Sequence, residues 1–278
     1  MIKMEEKKKK YKLGLLGVLI ALSVVFALVY SLYWSTISFA LTEVEDTWLA
    51  AIASILRIII LSIMSIILFR KWFKQEAIYT SDAYFLFALF FMILTYGKIY
   101  DLLYNLILIS ESFGDIALLY LLKVRYIIVV INIIPILYIG LEATMTFISV
   151  YIKEISKKQF NQLRLWIVII FLGIISFIIA IASSITFLIS VLPFLTLAIF
   201  VMISIMFLFM YKNKRLSQAN GLIIGLAFLV FIFTNIARSI ISVRALNEPS
   251  LFVIAETLDI IANVLMFLGF ISKPKYAK

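Results

Sequence analysis

Cysteine and histidine are both absent from the 278 residues. Their absence excludes disulfides, thiolate and imidazole metal sites, c-type haem attachment, Cys or Ser-His nucleophile systems and histidine proton relays. Charge is sparse too: 14% of residues are Asp, Glu, Lys or Arg, against about 25% in soluble domains. Glycine (9) and proline (4) are few, which leans away from a transporter built on unwound, broken helices. Walker, Asp-rich metal, G-x-S-x-G and H-E-x-x-H patterns are missing as well. The expectation is a protein that is not an enzyme, with no catalytic residue, cofactor or metal.

What the chain has in abundance is apolar side chain, 65% of the total, where soluble domains run near 45–50%. A bilayer crossing takes roughly 20 such residues. Eight apolar runs occur, at 13–40, 48–69, 82–108, 118–150, 165–188, 191–211, 219–243 and 250–272. The fold expected is therefore an all-α integral membrane bundle of eight transmembrane helices, between a basic segment at 1–12 and a basic tail at 273–278. Lys7 to Lys10 ahead of the first run read as the start of an uncleaved signal anchor. The fifth and sixth runs nearly fuse, and Leu192-Pro193 is taken as their boundary because proline favours a break.

The net charge of +10 divides by position. The segments at the start, near 70–82, 151–164 and 211–218, and at the end hold 19 of the 25 basic residues. Alternate loops hold one base, Arg244, against six acids, Glu43, Glu45, Asp46, Glu111, Asp115 and Glu248. Short cytoplasmic loops collect Lys and Arg, so both termini are expected to be cytoplasmic in a multi-pass protein of the cell membrane, with +14 inside, −5 outside and +1 within the spans. The charge thus speaks for orientation and anionic lipids at the inner face, and not for nucleic acid. Tyr30, Tyr33, Trp34 and Trp48 at one level and Trp72, Tyr151, Trp166 and Tyr211 at the other fit interfacial belts.

A faint internal echo joins Leu61-Ser62-Ile63-Met64 to Ile203-Ser204-Ile205-Met206, and Thr95 with Lys98 to Thr234 with Arg238. It suggests a parallel repeat of four spans plus four.

Nine ionisable residues fall inside the spans: Arg57, Lys98, Lys123, Arg125, Arg238, Asp101, Glu142, Glu256 and Asp259. Each costs roughly 2.5–3.5 kcal/mol near the bilayer centre, so such groups face the bundle interior and find partners. Helical spacing puts Lys98, Asp101 and Asn105 on one face, as it does Asn235, Arg238 and Ser242, and Glu256, Asp259 and Asn263. Ser54 with Arg57, and Arg125 with Asn132, add two further polar faces. At about 1.5 Å of rise per residue, all these charges except Lys123 and Glu142 lie within roughly 8–15 Å of the outer ends of their spans.

Two readings of this layer stand open. The charges neutralise one another, Lys98 with Asp101 and Arg57 and Arg238 with Glu256 and Asp259, or they line a ligand-binding pocket. The pocket would be made by Arg57, Lys98, Asp101, Arg125, Asn235, Arg238, Glu256, Asp259 and Asn263 and would take a small, anionic external ligand, making the chain a sensor whose signal passes to a cytoplasmic or membrane protein partner. Glu142, deeper and with no base expected at its level, is the proton-coupling candidate of a rival transporter or conduit reading. A third reading is a non-catalytic subunit of a membrane complex. Lys123 is expected to snorkel to the headgroups.

Overall fold

The structure, a computed structural model, describes the backbone of residues 2–151, 156–214, 216, 219–245 and 251–277, and their side chains apart from 2–3, 143–151, 157, 192–196, 238–240, 242–245 and 277. Among the described residues every regular element is helical. In lipid a backbone must satisfy its own polar groups, and a helix does so within one segment. The elements are α1 (Ile2–Leu32), α2 (Trp34–Glu43), α3 (Thr47–Phe73), α4 (Ala83–Ile109), α5 (Asp115–Tyr151), α6 (Lys157–Ile181), α7 (Ile185–Lys212), α8 (Gly221–Ala245) and α9 (Leu251–Ile271), followed by a single 3₁₀ turn (Lys275–Ala277).

Six of these, α1, α3, α4, α5, α6 and α9, are long and apolar enough to cross a membrane. The described apolar stretches of α7 and α8, Leu197–Lys212 and Gly221–Ala237, are shorter. The chain is a multi-pass helical membrane protein by these helices, and their exposed Leu, Ile and Phe side chains belong against lipid.

Two boundaries differ from the sequence expectation. The first apolar run is not one span: the helix breaks at Tyr33 (φ −100°, ψ 15°), and α2 has only 10 residues, too few to cross a bilayer. Instead α2 buries Ile37 and Ala40 and packs against α3 and α4. The break between the fifth and sixth runs lies at 182–184, not at Leu192-Pro193. Ser184 is the reason: its hydroxyl accepts the Phe187 N–H at 3.2 Å, satisfying one of the free amides that a helix start exposes. Pro193 falls within α7 and Pro135 within α5, and neither ends its helix. Helix α6 opens on a reciprocal cap: the Gln159 N–H donates to the Ser156 hydroxyl and the Ser156 N–H to the Gln159 side-chain oxygen, both at 3.3 Å.

The core is built from α3, α4, α5, α7, α8 and α9. In it α3 packs on α4, α4 on α5, α7 on α8 and α8 on α9, and two seams join the triplets, α3 against α9 and α5 against α7. Exchanging α3, α4 and α5 for α7, α8 and α9 leaves that set of contacts unchanged. Helices α1 and α6 stand outside the exchange, α1 touching α2 and α4, and α6 touching α5. The residues of the internal echo share a pattern within this frame: Leu61, Met64, Ile203 and Met206 are buried, and Ile63 and Ile205 are exposed. The Thr95 and Thr234 hydroxyls both turn back to their own helix, donating to the carbonyls of Phe91 and Phe231.

The loops at 44–46 and 110–114 carry Glu45, Asp46 and Glu111 and lie at one end of the bundle, and the 74–82 connection, beside Arg70 and Lys71, at the other. They are called here the acidic and basic ends. At the basic end the Lys7 ammonium donates to the Ile78 carbonyl at 2.8 Å and the Tyr11 ring meets Trp72, so residues 7–12 continue α1 and dock on the α3–α4 connection.

Candidate functional site

Arg57, about three turns into α3, Lys98 and Asp101, in the second half of α4, Arg125 on α5, and Glu256 and Asp259 in the first turns of α9 converge at one level. Helical periodicity aligns them: Lys98 and Asp101, and Glu256 and Asp259, are each three apart and share a face. They form an alternating ladder. One Arg57 terminal nitrogen donates to Asp259 Oδ2 at 2.5 Å and to Glu256 Oε2 at 3.0 Å. The Lys98 ammonium donates to the other Glu256 oxygen, Oε1. Lys98 also lies 3.7 Å from Asp101. Asp101 takes both prongs of Arg125, Nε at 2.6 Å and a terminal nitrogen at 3.3 Å, a fork that matches carboxylate geometry. The Arg125 guanidinium lies 5.6 Å from the centre of the Tyr104 ring.

The ladder is graded in burial. Lys98 and Glu256 side chains are each 1% exposed, whereas Arg125 and Asp101 are 24% and 17% exposed. Three bases and three acids sum to zero among these six. An isolated ion in a dry interior is expensive, and the alternation gives every member an opposite neighbour. Within the ladder, Arg57 Nε is buried and makes no hydrogen bond among the described residues.

The remaining candidates are placed differently. Asn235 and Asn263 donate to carbonyls of their own helices, Phe231 at 2.7 Å and Asp259 at 2.7 Å. The Asn263 amide oxygen, and that of Asn132 on α5, are buried without a hydrogen-bond partner among the described residues. Arg238 belongs to α8, but its side chain lies outside the described residues, as do Ser242, Arg244 and Glu248. Lys123 donates to the Ala180 carbonyl in the last turn of α6 at 3.0 Å, capping that helix end as a cation does well.

Glu142 does have a base at its level, contrary to the sequence expectation. Arg164 reaches it at 3.4 Å. By residue number Arg164 falls in the basic 151–164 segment, but α6 begins at Lys157, which puts Arg164 two turns inside the helix and 9% exposed. There its guanidinium stacks 3.9 Å from the centre of the Tyr138 ring and donates to the Asn161 side chain at 2.9 Å. The Glu142 carboxylate itself is 42% exposed.

Toward the acidic end, one helical turn from Arg57 and from Glu256, a small cleft opens between α3, α4 and α9. It has room for about one water molecule. Thr47, Ser54 and Asn105 line it among Ala50, Ala51, Leu102, Leu106, Ile109 and Phe252.

Compared with known proteins, the chain matches no family model, and no curated protein and no solved structure matches it.

Proposed function

We propose that the chain is an eight-span protein of the cell membrane, with its basic end and both termini cytoplasmic, that acts as a receptor-like sensor for a small carboxylate-bearing molecule from outside. On this reading α1 and α3 to α9 cross the bilayer, α7 and α8 qualifying by their full lengths of 28 and 25 residues. The two triplets of core helices are then the products of a duplication, with α1 and α6 as the additional first span of each half. Basic loops on one side of the helices and acidic loops on the other support the orientation.

The observation that carries the sensing role is the graded ladder. A sealed set of buried ion pairs adds little stability over apolar residues of the same volume, so stability alone does not account for it. Its exposed end, Arg125 forked to Asp101, presents the geometry that recognises a carboxylate. A ligand carboxylate that displaces Asp101 from Arg125 frees Asp101 to pull on Lys98, and through Glu256 on Arg57. Four helices, α3, α4, α5 and α9, are thereby linked to one binding event. The partner that reads the change docks on the basic loops.

The test is thermal unfolding of the purified chain with acetate, lactate, succinate and glutamate. At least one carboxylate should raise the midpoint by several degrees in the native chain and not in Arg125→Gln. No shift with any of them overturns the reading. In liposomes the sensor moves none of these solutes, and the pairing of Glu142 with Arg164 argues that Glu142→Gln leaves that result unchanged. Flux abolished by Glu142→Gln would replace the sensor with a transporter.

A further inference from the structure

The basic end carries cations that the chain itself does not neutralise. The Tyr11 ring lies 5.5 Å from Trp72 and the Lys12 ammonium 5.3 Å from the centre of the Phe73 ring, so the lysines of α1 stand level with the last turn of α3. At that level Lys9 and Lys12 on α1, and Arg70 and Lys74 at the end of α3, are exposed. None of these four makes an ion pair or a side-chain hydrogen bond among the described residues. In the ladder, by contrast, Arg57, Lys98 and Arg125 each meet a carboxylate. Lys9 and Lys12 are three apart and Lys8 and Lys12 four apart, spacings at which like charges on a helix repel. An anion lying against this face relieves that repulsion.

What lies beneath the cations says which anion. One face of α1 runs Lys9, Leu13, Leu16 and Ile20, and one face of α3 runs Arg70, Ile66, Ile63 and Ile59, both at helical spacing. The six apolar residues are each 50–59% exposed on helices long and apolar enough to cross a membrane. A cation therefore crowns a lipid-facing stripe on each helix, and the approach of Lys12 to Phe73 brings the two crowns together. The apolar run starts at Leu13, directly after Lys12, which sets these lysines at the level of the headgroups. The molecule that matches both features is amphiphilic, with acyl chains along the stripes and negative charge at its head. An acidic protein from the aqueous side reaches the charges and leaves the stripes bare.

We propose that Lys9, Lys12, Arg70 and Lys74 form a site between α1 and α3 for the headgroup phosphate of an anionic bilayer lipid. Arg70 supplies a planar fork for phosphate oxygens, and the lysines supply compact charge. A zwitterionic headgroup brings a cation of its own and is the poorer fit. Helix α1 is the span with most to gain, since none of its most apolar window is buried. A phosphate shared with α3 ties it to the bundle where packing contributes little. The site is independent of the carboxylate reading, since it uses none of the residues assigned to that ligand.

The experiment is thermal unfolding of the full chain in bilayer discs of phosphatidylcholine, with and without a minor share of phosphatidylglycerol, at equal ionic strength. Binding to the folded state alone raises the midpoint with ligand concentration, here by a few degrees, and saturably as the phosphatidylglycerol share grows. Lys9→Gln, Lys12→Gln and Arg70→Gln together remove the difference between the two bilayers, whatever they do to the midpoint itself. Lys273→Gln with Lys275→Gln, which lowers the net charge elsewhere, keeps it. Should the triple variant not fold, Arg70→Gln alone serves, raising the phosphatidylglycerol share for half-effect several-fold. Equal midpoints in the two bilayers, a difference undiminished in the triple variant, or an unchanged half-effect in Arg70→Gln each overturn the proposal. So does a difference lost equally in the tail variant, which leaves diffuse surface charge alone. An equal rise with soluble polyglutamate in phosphatidylcholine discs overturns it as well, making the patch a face for an acidic protein.

Discussion

The two ends of the core are held by different physics. Toward the acidic end, Arg57, Lys98, Asp101, Arg125, Glu256 and Asp259 join α3, α4, α5 and α9 through directional pairs. Toward the basic end, Phe87, Phe207, Phe228 and Phe270 from α4, α7, α8 and α9 meet ring to ring. Glycine lets the backbones approach there, and a Cβ at Gly269 would come within 2.9 Å of the Ile224 main-chain nitrogen. Ion pairs have two arrangements, made and broken, whereas rings and close backbones have one good fit. On the proposed sensor reading, the acidic half is the part that changes and the basic half the part that stays.

That contrast sets the order of mutational effects. Glu256→Ala strips a partner from both Arg57 and Lys98 in a site 1% exposed, and a loss of about 3–5 kcal/mol is expected in chemical or thermal unfolding. Gly269→Ala forces a Cβ onto Ile224, and overpacking of that kind costs about 1–3 kcal/mol. The same assay with ligand added separates the two, because Gly269→Ala should leave the response to carboxylates intact while Glu256→Ala abolishes it. Arg125→Gln, at the exposed end of the ladder, should cost only about 1 kcal/mol. Glu142→Gln, 42% exposed, should be smaller still, within about 0.5 kcal/mol. An order in which Glu142→Gln exceeds Glu256→Ala would erase the distinction between the halves.

The acidic half is largely legible in the sequence because charge inside an apolar run is conspicuous. Lys98, Asp101, Glu256 and Asp259 announce themselves, and helical spacing alone aligns each pair on one face. Which acid meets which base is not legible: Lys98 to Glu256 and Arg125 to Asp101 are set by how α9 and α5 dock on α4. The basic half is nearly silent, since Phe87 and Phe270 differ in no visible way from phenylalanines facing lipid. Arg164 was hidden by a boundary, its residue number falling in a loop-like stretch that α6 in fact includes. Ser184 carries the α6–α7 break, while Pro193, the louder signal, sits inside a helix because the capping serine comes first. The exchange of α3, α4 and α5 for α7, α8 and α9 shows in sequence only as the short match of 61–64 to 203–206 and the Thr-cation pairs Thr95/Lys98 and Thr234/Arg238, since lipid-facing positions accept any large apolar side chain.

The sharpest test of the ladder is a double-mutant cycle on its most buried link. Lys98→Met and Glu256→Gln should each destabilise the chain by about 3–5 kcal/mol, each leaving a buried charge with one partner fewer. Together they should cost less than the sum by about 1–3 kcal/mol, because the double variant leaves Arg57 with Asp259 and Asp101 with Arg125. Strict additivity of the two would contradict the ladder, showing that Lys98 and Glu256 are stabilised separately.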